Sequence, residues 1–213
     1  HLPWAATRIQ ILDTPGAMDF AAGPSSAMAA VETVAIAIPA HDGVGVTARR
    51  RFVEAGALGL VRVVVLTKIE QENIDEDKLL ASLRDNFGDH VIPLDFPDVF
   101  GPGVTRIYDI FADNLPDAEK PRALDLRKQV TEAVVECDDK LLERYLAGGE
   151  ITQDELFHAF PKAIREGHLV PVLHTSAKRE LGVREFLDFI AHETPSPVEV
   201  VVRPAKTAVG QPI

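Results

Sequence analysis

The chain has 213 residues, of which 46% are hydrophobic and 26% are charged, a composition ordinary for a globular domain. Its formal net charge of −11 argues against non-specific nucleic-acid binding by this chain but leaves room for a local basic patch. No apolar run approaches the roughly 20 residues of a membrane span, so we expect no membrane association. The single cysteine, Cys137, cannot form an internal disulfide and fits a cytoplasmic location. Because the chain starts at His1 rather than at methionine, we expect a piece of a longer protein or a partly recorded chain.

The first predicted strand, residues 8–12, runs into an acidic residue and a tight turn. Asp13 is followed by Thr14-Pro15-Gly16. A carboxylate here can hold magnesium directly or through water, and a glycine backbone can come close to a phosphate. In α/β proteins such turns lie at the carboxyl edge of the sheet, where ligands bind. Taken alone, the motif is also compatible with ordinary Pro-Gly punctuation between two elements.

Two more apolar runs predict buried parallel strands, at residues 33–38 and 61–66. The second leads directly into Thr67-Lys68-Ile69-Glu70, which places a lysine and a carboxylate two residues apart at a strand end. A last buried strand, residues 169–173, is followed by His174-Thr175 and then by Ser176-Ala177-Lys178. Each short motif is weak alone, since a helix start or an ordinary loop has similar residues.

The remaining segments predict helices and one pair of strands. Asp75 should cap a helix that ends before Gly88, and Thr152 with Glu155 forms a capping box. We expect antiparallel strands over residues 90–96 and 104–111. The other predicted helices are a short one after Pro24, one over 48–57 capped by Thr47, a long one over 123–147, one up to Glu166, and one over 182–192.

Three motifs therefore occur in a fixed order, each at the end of a predicted strand: Asp13 to Gly16, Thr67 to Glu70, and Ser176 to Lys178. This order resembles the third, fourth and fifth conserved boxes of translational GTPases, and elongation factor G and its paralogues match best. The long region between the last two motifs resembles the insert subdomain of elongation factor G, including the segment 138–146. The resemblance implies an α/β fold: a P-loop-GTPase-like, mostly parallel sheet flanked by helices, with an α+β insert.

The resemblance also divides the chain. Residues 1–89 correspond to the first part of the GTPase core, and 90–166 to the insert subdomain. Residues 167–197 supply the last strand and helix of the core, ending at Pro195-Ser196-Pro197. Residues 198–213 are expected to lead toward a second domain.

In this family, the three boxes bind GTP or GDP with Mg²⁺. The resemblance assigns magnesium to Asp13 and the γ-phosphate to the Gly16 N–H. It assigns the guanine base to the second and third boxes. There a lysine stem lies along the base, a carboxylate accepts both N–H groups of its Watson–Crick edge, and a backbone N–H bonds its O6. The residues at those positions here are Thr67, Lys68, Glu70, Ser176, Ala177 and Lys178.

Several departures from the family pattern matter. No Gly-x-x-x-x-Gly-Lys-Ser/Thr phosphate loop occurs in these residues, so we expect the phosphate-loop strand to be absent and this chain alone to bind GTP weakly or not at all. Glu70 stands where aspartate is usual. Ala17 stands where the family has a histidine that helps place the attacking water, and alanine cannot orient water.

The expected function is that of part of a GTP-binding domain in an elongation factor G-like translation factor. The parent would couple GTP hydrolysis to ribosomal translocation or a related step. Its expected partners are the ribosome, including ribosomal RNA and the stalk protein, and we expect a monomer. The alternative is a low-turnover nucleotide-binding or ribosome-docking module that acts mainly through its insert subdomain.

Overall fold

The computed structural model describes residues 1–17 and 22–200. Its strands are β1 (Leu2–Trp4), β2 (Thr7–Ile9), β3 (Thr33–Pro39), β4 (Val61–Thr67), β5 (Val91–Pro93), β6 (Asp95–Pro97), β7 (Ile107–Asp109) and β8 (Val170–His174). Its helices are α1 (Ala22–Met28), α2 (Val46–Ala57), α3 (Glu76–Phe87), α4 (Lys120–Val135), α5 (Asp139–Leu146), α6 (Gln153–Glu166) and α7 (Val183–Glu193).

The central element is a four-stranded parallel sheet in the order β3-β4-β8-β5. One of its two inner strands, β4, is rich in β-branched residues and suits burial on both faces. Val63 and Val65 belong to the core on one side, with α4 and α6, whereas Val64 and Leu66 belong to the core on the other side, with α2 and α3. The α/β class and the parallel strands predicted at 33–38, 61–66 and 169–173 are confirmed. The predicted burial is wrong for β3, because it is an edge strand in which Ala35 and Ala37 are exposed.

The first predicted strand is wrong in its partner. We expected residues 8–12 in the parallel sheet, but β2 pairs antiparallel with β1 in a separate hairpin, which packs on α7. Ile11 and Leu12 follow the hairpin and are 61% and 51% exposed. Since a strand forms only beside a partner, a physical reason is that β1, two residues away, closes a far smaller loop than pairing with β3 requires. Within the described ranges, no strand pairs with the outer edge of β3.

The strand predicted over 90–96 is divided in two. β5 joins the main sheet parallel to β8, whereas β6 pairs antiparallel with β7. The division occurs at Leu94, whose N–H donates to the Val172 carbonyl at 3.0 Å and whose carbonyl accepts from Ile110 at 3.1 Å. The expected antiparallel pair is therefore confirmed only for residues 95–97 and 107–109.

The predicted caps of α3 and α6 are confirmed. The Asp75 side chain accepts the Lys78 N–H, and Thr152 with Glu155 forms a reciprocal capping box. The single helix over 123–147 is wrong, because Asp138 accepts the N–H groups of Lys140 and Leu141 and starts α5 as a new helix. The cap of α2 is Gly45 rather than Thr47.

α6 continues through Pro161 as one helix. None of the helices in the described part of the chain has the length and apolar character to cross a bilayer.

We predict an acid-labile contribution from the start of α6. Glu155 accepts the Thr152 N–H at 3.0 Å and pairs with Arg144 at 2.6 Å, and these contacts lower the pKa of its carboxyl from 4.5 to about 2, the Arg144 bond having the largest effect. Because the folded-state pKa is depressed, this stabilisation is present above pH 4.5 and is lost as the pH falls toward about 2. Glu155→Gln should therefore lower the free energy of unfolding near pH 6, and its difference from the parent chain should shrink as the pH falls.

Urea unfolding at several pH values measures this difference. Glu143→Gln is the matched control, since it removes the same charge from an exposed position on the neighbouring α5 that takes no part in the capping box. A Glu155→Gln difference that stays constant with pH would contradict the prediction.

Candidate functional site

The loops that follow β4 and β8 leave the same edge of the sheet side by side. The Thr175 N–H donates to the Leu66 carbonyl at 2.7 Å, and the Thr175 hydroxyl donates to the same oxygen at 3.1 Å. On the other flank of β4, the Ala40 N–H donates to the Thr67 carbonyl at 2.8 Å. Because the strands run parallel and in register, two motifs more than 100 residues apart in the sequence become neighbours.

These two loops border an open cleft of about 650 Å³. Its lining residues are Thr67, Lys68, Glu70, Gln71, Glu72, Pro102, Thr175, Ala177, Lys178 and Arg179. The structure thus brings together five residues that the sequence placed in one site: Thr67, Lys68, Glu70, Ala177 and Lys178.

Glu70 is the polar residue of the cleft whose bonding is incomplete. Its Oε2 atom is buried and has no hydrogen-bond partner among the described residues. Lys68, two residues before it, is exposed and has a left-handed backbone with φ of 56°. A buried carboxylate oxygen without donors is costly, and such a group calls for a ligand or water to supply them.

Ser176 does not line the cleft, but its hydrogen bonds hold the loop after β8 in shape. It is fully buried, its N–H donates to the Leu181 carbonyl at 2.9 Å, and the Leu181 N–H returns a bond at 3.0 Å. Its Oγ accepts the Arg179 N–H at 3.2 Å. This bridge closes residues 176–181 into a tight turn and leaves Ala177 and Lys178 exposed toward the cleft.

A third wall comes from the connection between β6 and β7, and sequence reasoning missed it. The Gly101 N–H donates to the Ile69 carbonyl at 2.8 Å, and Arg179 donates to the Pro102 carbonyl at 2.5 Å. The only signal in the sequence is the Gly101-Pro102-Gly103 motif, which predicts a turn but not which residues the turn contacts. The predicted insert therefore contributes to the cleft.

Beneath the second loop lies a buried polar pair. Asp95 and His174 are 4% and 1% exposed, and the Asp95 Oδ1 lies 2.9 Å from the His174 backbone nitrogen and 2.7 Å from its ring Nδ1. Burial raises the pKa of the Asp95 carboxyl, and the hydrogen bonds and charge of His174 oppose this rise.

The first predicted motif lies away from this cleft. Asp13, Gly16 and Ala17 are exposed in an irregular segment after β2, and none of them lines the cleft. Residues 18–20, the rest of the motif, lie outside the described residues. In the described ranges, no group of three or more histidine, cysteine or acidic side chains is arranged to hold a metal ion.

We predict that Gly182 is required for the turn beneath the cleft. Its φ is 72°, and a Cβ there would lie 2.0 Å from the His174 carbonyl oxygen. Gly182→Ala should lower the free energy of unfolding by about 2–4 kcal/mol, through a clash added to a strained backbone. Gly59→Ala should cost only about 1 kcal/mol, because Gly59 has a φ of 67° and open space around its Cβ position. Denaturant unfolding of both variants measures the difference, and equal losses would contradict the clash.

Comparison with known proteins supports an assignment. The sequence profile of the family described as "Elongation factor Tu GTP binding domain" matches residues 1–196. The chain is 25% identical over 207 residues to an "Elongation factor G-like protein" of Thermotoga maritima, covering 93% of this chain and 30% of that protein. It is 28% identical over 222 residues to a protein of the same description in Mycobacterium tuberculosis, covering 99% and 31%.

Among solved structures, the fold is similar to that of a protein from Thermus thermophilus, with a TM-score of 0.78 and 36% identity, covering 88% of this chain and 30% of that one. The chain thus spans about 30% of the length of these relatives. The profile match covers most of the chain, and the sheet and its two motif-bearing loops agree with it. The chain belongs to the elongation factor Tu GTP-binding domain family, and the relatives it resembles are described as elongation factor G-like proteins.

Proposed function

We propose that the cleft between residues 67–72 and 175–179 binds the guanine base of GTP and GDP. The observation that carries this proposal is the buried, unpartnered Oε2 of Glu70, which shares one cleft with Ala177 and Lys178 among the described residues. The family membership makes a guanine nucleotide the expected ligand, and the chemistry of the cleft supports this particular placement.

Guanine suits this carboxylate for a chemical reason. Its Watson–Crick edge carries two adjacent N–H donors, which a carboxylate can accept together in a charge-assisted pair. Adenine presents an acceptor in place of one of these donors and would leave the Glu70 oxygen unpaired. The volume of about 650 Å³ lies within the range of small-molecule sites. Lys68 has a long apolar stem that can lie along the base.

The charge of the cleft also suits an anionic ligand. Three basic residues, Lys68, Lys178 and Arg179, line it beside two glutamates, so the cleft carries a small positive charge in a chain whose net charge is −11. Mg²⁺ usually takes one or two carboxylates together with substrate phosphates, so a single carboxylate such as Asp13 is a sufficient protein donor. When bound, the ion would neutralise phosphate charge. We propose Asp13 for this role and the Gly16 N–H for the γ-phosphate.

We further propose that the whole protein hydrolyses GTP on the ribosome and couples this to translocation or a related step. Ribosomal RNA and the stalk protein are the proposed partners, with residues 90–166 as the insert that meets the stalk. A monomeric, cytoplasmic protein fits this role. Residues 1–89 and 167–197 would form the core, with 198–213 leading onward.

We predict that Glu70 distinguishes guanine from related bases. In the whole protein, Glu70→Gln should weaken GDP binding about 10–100-fold, because a hydrogen bond to a charged group contributes about 1.5–3 kcal/mol. IDP lacks the exocyclic amino group, so the same substitution should weaken IDP binding less. The preference for GDP over IDP should therefore shrink. Calorimetric titration of both nucleotides measures this.

Glu72→Gln is the matched control, since Glu72 lines the same cleft, is exposed, and carries the same charge two residues further on. If both variants weaken GDP equally, the effect is one of general charge and Glu70 does not contact the base.

Ala17 favours a second candidate, a nucleotide-binding module with little turnover. Alanine cannot orient a water molecule, whereas a positioned acid–base group typically contributes about 10²–10⁴-fold. We therefore expect Ala17→His to raise ribosome-stimulated GTP hydrolysis by about 10²-fold with little change in GTP affinity. Ala6→His, at another exposed alanine, serves as control. Unchanged turnover in Ala17→His would mean that another residue already holds the water, or that the module does not hydrolyse GTP in this way.

A further inference from the structure

The loop that contains Ala177 and Lys178 begins at His174, the last residue of β8. Three contacts fix the backbone around this residue. The His174 N–H donates to Asp95 Oδ1 at 2.9 Å, its carbonyl lies where a Cβ on Gly182 would clash, and the next N–H, that of Thr175, donates to Leu66. Only the first of these contacts depends on a side chain.

That side chain comes from the predicted insert. Asp95 is the first residue of β6, which pairs with β7, and it is 79 positions from His174 in the sequence. Its Oδ1 accepts both the backbone N–H and the ring Nδ1–H of His174, so a single oxygen holds the peptide and the imidazole of one residue. The Phe100 ring meets the imidazole edge-on, with centroids 5.7 Å apart, and limits its movement.

The Asp95–His174 pair costs folding stability compared with apolar residues of similar size. Asp95 Oδ2 and His174 Nε2 are buried and have no hydrogen-bond partner within the described residues. Replacing a buried ionic or polar pair by apolar residues of similar size is often neutral or stabilising. Packing therefore does not explain the pair, whereas holding the start of the 175–178 loop in one direction does.

We propose that Asp95 and His174 are positioning residues for guanine recognition, which orient the 175–178 loop so that its backbone meets the O6 edge of the base and which tie that loop to the β6–β7 hairpin. This inference rests on the proposed function of the cleft. Neither residue lines the cleft, so their effect on the nucleotide passes through the loop.

The test compares the affinities of the whole protein for two nucleotides. GDP carries the O6 oxygen, whereas 2-aminopurine riboside diphosphate lacks O6 and also the N1–H that Glu70 would accept, and it keeps the 2-amino group. The readout is therefore the fold-change in the affinity of each nucleotide that a variant causes, not the difference between the two nucleotides in the parent. The double variant Asp95→Leu with His174→Leu removes both paired side chains together but leaves the backbone N–H of residue 174 without its acceptor, so it should fold with a moderately lower free energy of unfolding than the parent. It should weaken GDP about 10-fold and leave the 2-aminopurine nucleotide within about 2-fold.

Asp95→Asn is the conservative variant. Its Oδ1 can still accept both His174 donors, so GDP affinity should stay within about 2-fold of the parent while the charge is lost. This variant keeps the geometric role falsifiable if the double variant does not fold. A folded Asp95→Asn protein with GDP binding more than about 10-fold weaker would overturn the geometric role, as would a double variant that binds both nucleotides like the parent.

Glu70→Gln in the same assay separates the two proposals. If Glu70→Gln loses the preference for GDP over the 2-aminopurine nucleotide and the double variant keeps it, the cleft binds guanine but the pair has no positioning role. If the parent protein itself does not prefer GDP over ADP, the proposed function fails, and the inference built on it fails with it. If the double variant weakens both nucleotides equally, the pair acts on stability alone, and the inference is overturned.

Discussion

The lateral hydrogen bond from the Thr175 N–H to the Leu66 carbonyl is the constraint on which the candidate site depends. It continues the register in which Leu66 lies opposite His174, so the loops after β4 and β8 leave the sheet at the same height. A parallel register slip of two residues would move one loop by about 6.6 Å and open the cleft. The valines on both faces of β4 oppose such a slip, because each already fills a core position.

Sequence reasoning succeeded where the physics is local or strongly patterned. The apolar runs of β3, β4 and β8 predict parallel strands, and a motif at the end of such a strand must lie at the carboxyl edge of the sheet. The caps at Asp75 and Thr152 depend only on residues three positions away. These features could therefore be predicted without any knowledge of the tertiary contacts.

Sequence reasoning failed where a segment could pair with more than one strand. Residues 8–12 have an apolar pattern that fits a sheet strand, but β2 pairs with β1, and no pattern within the segment decides between the two. Leu94 divides β5 from β6 because it bonds to Val172 and Ile110, which are far away in the sequence. The contribution of Pro102 to the cleft likewise depends on the approach of the β6–β7 connection to Arg179.

Two polar features that are costly to folding stability lie at the edge of the sheet where β4 and β8 end. Glu70 has a buried oxygen without a donor among the described residues, and the Asp95–His174 pair has two more such atoms. Elsewhere the two main cores are apolar, so the sequence is capable of filling such space with aliphatic groups. Atoms of the same kind also occur at Thr33 and His90, but the three on Glu70, Asp95 and His174 all belong to the loops at this edge or to the pair next to it. Because local violations of good packing are expected at functional sites, this grouping supports a functional role for this edge of the sheet.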